Sequence, residues 1–315
     1  MGLISSHPIA ETRQITTAPP GRGRKKRPVV TVNVPYIRSL LERGVLTRRD
    51  EDVLLTVDEL GALSVGQLTR LYWQSLSTAR HRLRKLYDLH LLDRSEYNPA
   101  RMIRLGLQPG VVYTLGKAGR LWLNMRTGKK ERYVLHPLNT LYHNLALAEF
   151  IVILTEAVRH AEDWQMNWQG ERSCRIVTTR GDRRRVLLEP DGLIIFNRPG
   201  DDSHRYFYLE RDLGTENYAA FQRKIRRYGA FFLGKQWRTR YGWSRFPPVL
   251  VVTNNAGRAR GLIDVIQQAK SPISWGVSDI ETLISLGRAD LLRANVWTVL
   301  SPGKPPRQLS LLSDP

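Results

Sequence analysis

The chain has 315 residues, 42% hydrophobic and 25% charged, with 49 Lys and Arg against 29 Asp and Glu for a formal net charge of +20. That length buries a real core and suits about two domains, and the cationic surplus speaks of a polyphosphate partner, because each phosphate neutralised releases a counterion. A single cysteine, Cys174, excludes an intrachain disulfide framework or cysteine-based zinc site; with no apolar leader, no uninterrupted apolar run near the roughly 20 residues of a membrane span, and no basic amphipathic helix for a lipid surface, the expectation is a cytoplasmic, non-membrane protein.

Residues 1–45 read as a disordered basic tail, with the cluster APPGRGRKKRP at 18–28. Helical spacing then starts at 46–63, where Thr47 is a plausible N-cap with Asp50 three residues on, Val53, Leu54, Val57 and Leu60 form one face, and Gly61 ends the helix. A second helix follows at 64–73, capped by Ser64. In the third, within 75–94, Ala79, Leu83 and Leu86 make the inward stripe, leaving Ser77, Thr78, Arg80, His81, Arg84 and Lys85 mostly outward. Residues 91–94 and 111–116 read as a two-stranded hairpin joined by a charged loop with Arg101 and Arg104. Helix, helix, helix, hairpin is the order of a winged helix-turn-helix, whose third helix can enter the major groove of double-stranded DNA. The domain is set at 46–130, with 117–125 as its closing helix.

A long helix spans 136–162, with Pro137 near its start where a missing N–H is harmless. The period then shortens toward two: strands at 164–171, 173–179, 185–196 and 204–212, a helix at 215–232, a strand at 248–254 and a helix at 257–269. Overall the fold class is α/β (α+β over the whole chain), a winged helix followed by a mixed sheet with flanking helices over 136–300, and a second tail at 301–315.

Acids cluster in that second domain. Glu210 and Asp212 lie two apart on a strand and share a face, and Asp191 opens the preceding strand, so the three are expected to gather at one end of the sheet. Such a group is tolerable with a divalent cation or a lysine among it, and hard oxygen ligands suit Mg²⁺ or Mn²⁺. Lys224 falls on the flank of the buried arc of its helix and is the natural match.

The succession of HRLRKLYDLHLLDR, VVYTLGKAGR, HNLALAEF, EPDG and YLERDLGTENYAAFQRKIRRY, over roughly 46–255, resembles the replication-relaxation family of plasmid and mobile-element proteins, found mainly in bacteria. The resemblance implies a winged helix and a link to plasmid replication or transfer, with replication or conjugation proteins and a second copy of the chain as further partners and a nucleoid- or plasmid-associated location. The second domain resembles the PD-(D/E)xK restriction-endonuclease-like fold. Pro190-Asp191 stands at its PD position and Glu210 at its (D/E) position; the lysine position holds Asp212, and Lys224 would replace that lysine from the helix. Lys224 with Tyr228 is also similar to the Q-x-x-x-Y helix of some members, and Glu149, Glu156 or Glu171 is a candidate further acid. Two functions stay open: a duplex-DNA-binding protein of a plasmid or mobile element, or a Mg²⁺/Mn²⁺-dependent endonuclease in which Asp191, Glu210 and Asp212 hold metal and Lys224 assists. No His-hydrophobe-His triplet accompanies the tyrosines, which argues against a covalent nicking relaxase.

Overall fold

Thr47 opens its helix as the spacing predicts: its side chain accepts from the Asp50 amide, the Asp50 carboxylate accepts from the Thr47 amide at 2.7 Å, and Gly61 closes the helix at φ +74°. In this computed structural model, which describes residues 27–134, 137–161, 163–180, 183–200 and 204–313, the N-terminal elements are α1 (Val34–Glu42), α2 (Arg48–Leu60), β1 (Leu63–Ser64), α3 (Val65–Tyr72), α4 (Leu76–Asp88), β2 (Leu92–Ser95), α5 (Pro99–Arg104), β3 (Val112–Leu115) and α6 (Lys117–Thr127). Their strands form a three-stranded antiparallel sheet in the order β1-β3-β2. Trp73, Gln74 and Ser75 connect α3 to α4, and Ser75 caps the latter.

The rest of the chain runs α7 (Leu138–Arg159), β4 (Gln165–Gly170), α8 (Glu171–Cys174), β5 (Ile176–Arg180), β6 (Arg183–Leu188), β7 (Gly192–Asn197), β8 (His204–Arg211), α9 (Tyr218–Leu233), α10 (Gln236–Tyr241), β9 (Val249–Thr253), α11 (Ala256–Gln268), β10 (Trp275–Asp279), α12 (Ile280–Ser285), β11 (Trp297–Leu300) and β12 (Arg307–Leu309). A seven-stranded mixed sheet orders as β12-β11-β10-β9-β8-β7-β4, with β8, β9 and β10 parallel to one another. Both its faces are apolar. Tyr208, Val249 and Val251 join one buried cluster with Phe221, Ile225 and Tyr228 of α9 and Leu262 of α11. Leu209, Leu250 and Val252, one residue out of phase, join a second cluster with Phe150 and Ile153 of α7 and the cores of α2 to α4. Alternation by one residue puts successive side chains on opposite faces, so the sheet is sandwiched, which gives the α/β class.

Several elements differ from the sequence reading. Residues 34–42, assigned to the tail, form α1, because Asn33 caps it and Ile37 and Leu40 are buried; residues 1–26 of that tail lie outside the described residues. Arg101 and Arg104 stand on a short helix, α5, which Pro99 starts and Asn98 caps. The strand expected at 185–196 is two strands. Among the described residues β6 pairs with β5 alone, and Glu189-Pro190 separates it from β7, which joins the large sheet. The expected strand 173–179 begins as the short α8. Residues 301–315, read as a tail, contribute β12 to the sheet edge and bury Leu311. The described residues from Thr31 onward make one compact unit with no break near 130.

Among the described residues one helix, α7, is long and apolar enough to cross a membrane, but 67% of that stretch is buried inside the fold. It holds the two halves together. Arg70 of α3 donates to Glu156 at 2.7 Å and pairs with Glu149, and Gln67 donates to the Leu145 carbonyl at 2.9 Å. Gly170, at the end of β4, seats directly on α2: its amide donates to Glu59 at 2.6 Å, and a Cβ there would lie 2.2 Å from the Glu59 carbonyl oxygen. Gly170→Ala is therefore expected to lower stability by about 1–3 kcal/mol through forced overpacking, whereas Gly66→Ala, whose Cβ meets only Ser64 Oγ at 3.8 Å, leaves it unchanged or slightly higher. Paired thermal melts check this; equal midpoints would show that α2 and β4 separate at no cost.

Candidate functional site

Two places gather the polar and charged side chains singled out in the sequence. The first is the outer side of α4. Ser77, Thr78, Arg80, His81 and Lys85 are exposed, while Ala79, Leu83 and Leu86 are buried beneath them. Arg82 turns inward to the buried Asp50, its Nε donating at 2.7 Å, and so fixes α4 against the start of α2. Between these two helices runs an open groove of about 790 Å³ lined by Arg48, Arg49, Ser77, Thr78 and His81 among others. Arg84 is less available than its position suggested, because Asp88 accepts from its Nε at 2.9 Å. Arg101 packs over the Tyr142 ring at 4.2 Å and donates to Asn139, whereas Arg104 is exposed.

The second place is the carboxyl end of β8. Tyr208 and Glu210 share the face turned toward α9, and Glu210 is only 1% exposed. Both its oxygens are engaged: Lys224 Nζ donates to Oε2 and the Tyr228 hydroxyl to Oε1, each at 2.6 Å. Lys224 and Tyr228 lie four apart on α9, one turn, which is why a single helix face supplies both. Asp191, just before β7, accepts from the Arg211 amide at 2.7 Å on Oδ2 and lies 3.1 Å from His143 Nε2 on Oδ1. The ring is contributed by α7. Asp212 lies beyond the strand end and is taken by Arg258 of α11, at 3.0 and 2.8 Å, and by the Gly214 amide at 2.6 Å.

Burial pushes Glu210 up to about 7, opposed by the Lys224 ammonium and reinforced by the Asp191 charge. For Lys224, burial works against the charged form, but the Glu210 and Asp191 carboxylates outweigh it and raise its pKa, so the ammonium stays charged. Asp191 is desolvated too, yet His143 and Lys224 hold it below the ordinary carboxylate range. Burial likewise disfavours the His143 imidazolium, and Asp191 more than compensates, leaving its pKa above the usual value. Glu171 is raised by burial and by the nearby charges of Glu189 and Asp191. The Cys174 thiol, 3.4 Å from the Pro190 carbonyl, is pushed far up by burial and is inert as a thiolate source.

The expected group is thus divided. Asp191, Glu210 and Lys224 share one field, with His143 and Tyr228 as further members, whereas Asp212 belongs to a separate pair with Arg258. Glu149 and Glu156 face Arg70 rather than this centre. Among the described residues, no group of three or more His, Cys, Asp or Glu side chains is arranged to hold a metal ion. As arranged, the carboxylates do not fit Mg²⁺ or Mn²⁺, since ammonium, hydroxyl, imidazole and guanidinium groups already occupy their oxygens. His143 had only a faint signal, a polar residue inside the apolar run 141–154.

The sequence profile of the replication-relaxation family matches residues 54–245, more than half of the chain. The chain belongs to the replication-relaxation family. Membership points to a role in replication or in a mobile element, and the matched span takes in α4 as well as Asp191, Glu210 and Lys224. No curated protein and no solved structure matches the chain.

The His143–Asp191 pair sets a pH dependence. A histidine whose folded pKa exceeds its unfolded value of about 6.5 contributes stability that is complete below 6.5 and is lost as pH rises through the folded value. Asp191, held low, stays ionised across that window. His143→Gln is expected to destabilise more at pH 6 than at pH 9, read from melting midpoints across the range; a constant difference would mean that no charged histidine is held there.

Proposed function

We propose that this family member is a duplex-DNA-binding protein of a plasmid or other mobile element, acting in replication or transfer, with α4 as the element that enters the major groove. The observation that carries the reading is the outward face of α4. It presents Ser77, Thr78, Arg80, His81 and Lys85 to solvent on the second helix of a pair joined by three residues, followed by the β2–β3 ribbon. That succession supports a winged helix-turn-helix reading, in which the second helix of the pair reads base edges and the ribbon tracks backbone. Small hydroxyls and cations on one face suit both tasks, and the +20 balance supplies the sequence-independent attraction. Arg80→Ala/Lys85→Ala is expected to weaken duplex binding by about 10-fold or more at moderate salt, and fluorescence anisotropy with a labelled fragment reads this out. Wild-type affinity in the double variant would remove α4 from the interface.

A second reading is favoured by the Lys224–Glu210 contact at 2.6 Å beside Asp191. These are the acid, acid and lysine of a PD-(D/E)xK-like phosphodiester hydrolase, with the lysine supplied from α9 and able to stabilise charge developing on phosphorus. Mg²⁺ or Mn²⁺ belongs to this reading alone, which requires the ion to displace the Lys224 and His143 contacts that fill the Glu210 and Asp191 oxygens. Incubating supercoiled plasmid with either ion, beside Lys224→Ala and Asp191→Ala, tests it: cleavage by wild type and not by the variants is the expected result, and equal cleavage by all three would take the centre out of the reaction.

A further inference from the structure

We infer that the outer face of α9, continued by α10, is a second phosphate-backbone-binding surface, which lays nucleic acid across the mouth of the Lys224–Glu210 centre. This rests on the duplex-binding reading above and extends it to a part of the chain that α4 does not reach in sequence. Arg223, Arg226 and Arg227 stand at positions i, i+3 and i+4 of α9, so they share one side of the helix. All three are exposed, and no ion pair joins any of them to a carboxylate among the described residues. This differs from the interior, where Lys224 on the same helix is consumed by Glu210.

Position makes this more than a solvated helix face. Arg227 lies one turn beyond Lys224, whose side chain is 28% exposed, so the exposed arginines and the partly exposed ammonium follow one another along the same helix. Arg227 also lines a groove of about 460 Å³ between α9 and β6. Glu189 is the acid in that groove, and Arg175 holds it at 2.9 Å. β6 pairs antiparallel with β5, and the strand ends three residues before Asp191. Past α9 the exposure continues with Arg238, stacked over Trp237, and Arg240, over Tyr241. Arginine spread along a helix, unpaired and not converging on a cavity, matches a repeating phosphodiester chain better than a compact anion, because the phosphates are evenly spaced and each takes one guanidinium.

The test is the salt dependence of duplex binding by the full chain. Arg223→Gln/Arg226→Gln/Arg227→Gln is expected to make the slope of log affinity against log salt shallower by about 2–3, and to weaken binding by about 10-fold or more whatever the DNA sequence. The matching triple lysine variant, which keeps the charge, retains most of the slope. An unchanged slope and affinity in the glutamine variant, while Arg80→Ala/Lys85→Ala weakens binding, would overturn this surface and leave the α4 reading standing. Absence of duplex binding by wild type would overturn both. A melting midpoint equal to wild type shows that the glutamine variant is folded, as expected for three exposed positions.

Discussion

Carboxylates drawn into this fold are closed by particular bases, and the rest of the structure depends on that closure. Glu210 is closed by Lys224 and Tyr228, Asp191 by His143, Asp212 by Arg258, Asp50 by Arg82, and Glu149 and Glu156 by Arg70. Breaking one such buried pair typically costs about 3–5 kcal/mol, because a charge is left in low dielectric without its counterpart. The closure also sorts the cations. With 49 basic residues against 29 acidic ones, satisfying the interior acids leaves a surplus outside. Exposed arginines and lysines on α4 and α9 belong to that surplus, and the proposed duplex-binding role rests on it.

The same pairs join the two halves. Arg70 reaches from α3 to two acids on α7, Arg159 of α7 donates back to the Arg70 and Leu71 carbonyls at 2.7 and 2.6 Å, and Arg172 of α8 donates to Asp58 of α2 at 3.0 Å. α7 is thus both a core helix for the sheet and the seat of the helix pair. It also carries His143 to Asp191. An element that packs on one half and supplies a residue to the ionic centre ties the basic face of α4 to the sheet end through a continuous set of contacts.

Much of this was legible in the sequence where periodicity and charge coincide. The capping box at Thr47, the stripe Ala79–Leu83–Leu86, and the strand ending in Glu210 are local features, and local features survive folding. The placement of Lys224 on the flank of a buried arc was enough to match it with the strand carboxylates, of which Glu210 is the one it meets. The i, i+2 rule led partly astray. Glu210 and Asp212 do meet helices of the same layer, but two different ones, so the expected trio is split by Arg258. No one-dimensional pattern shows which of 49 cations a given acid will find. The division of 185–196 was missed because apolar runs flank the short break at 189–192 on both sides and read as one strand. β10, β11 and the edge strand β12 were missed because they are short and follow no strong period.

The central claim is that the cationic surplus left outside on α4 meets duplex DNA. Photocrosslinking with duplex fragments carrying 5-bromouracil, followed by mass-spectrometric mapping, tests it most directly. Crosslinked peptides that include residues 76–88 are the predicted result. Crosslinks confined to other segments, with α4 unmodified under conditions of full binding, would contradict the account.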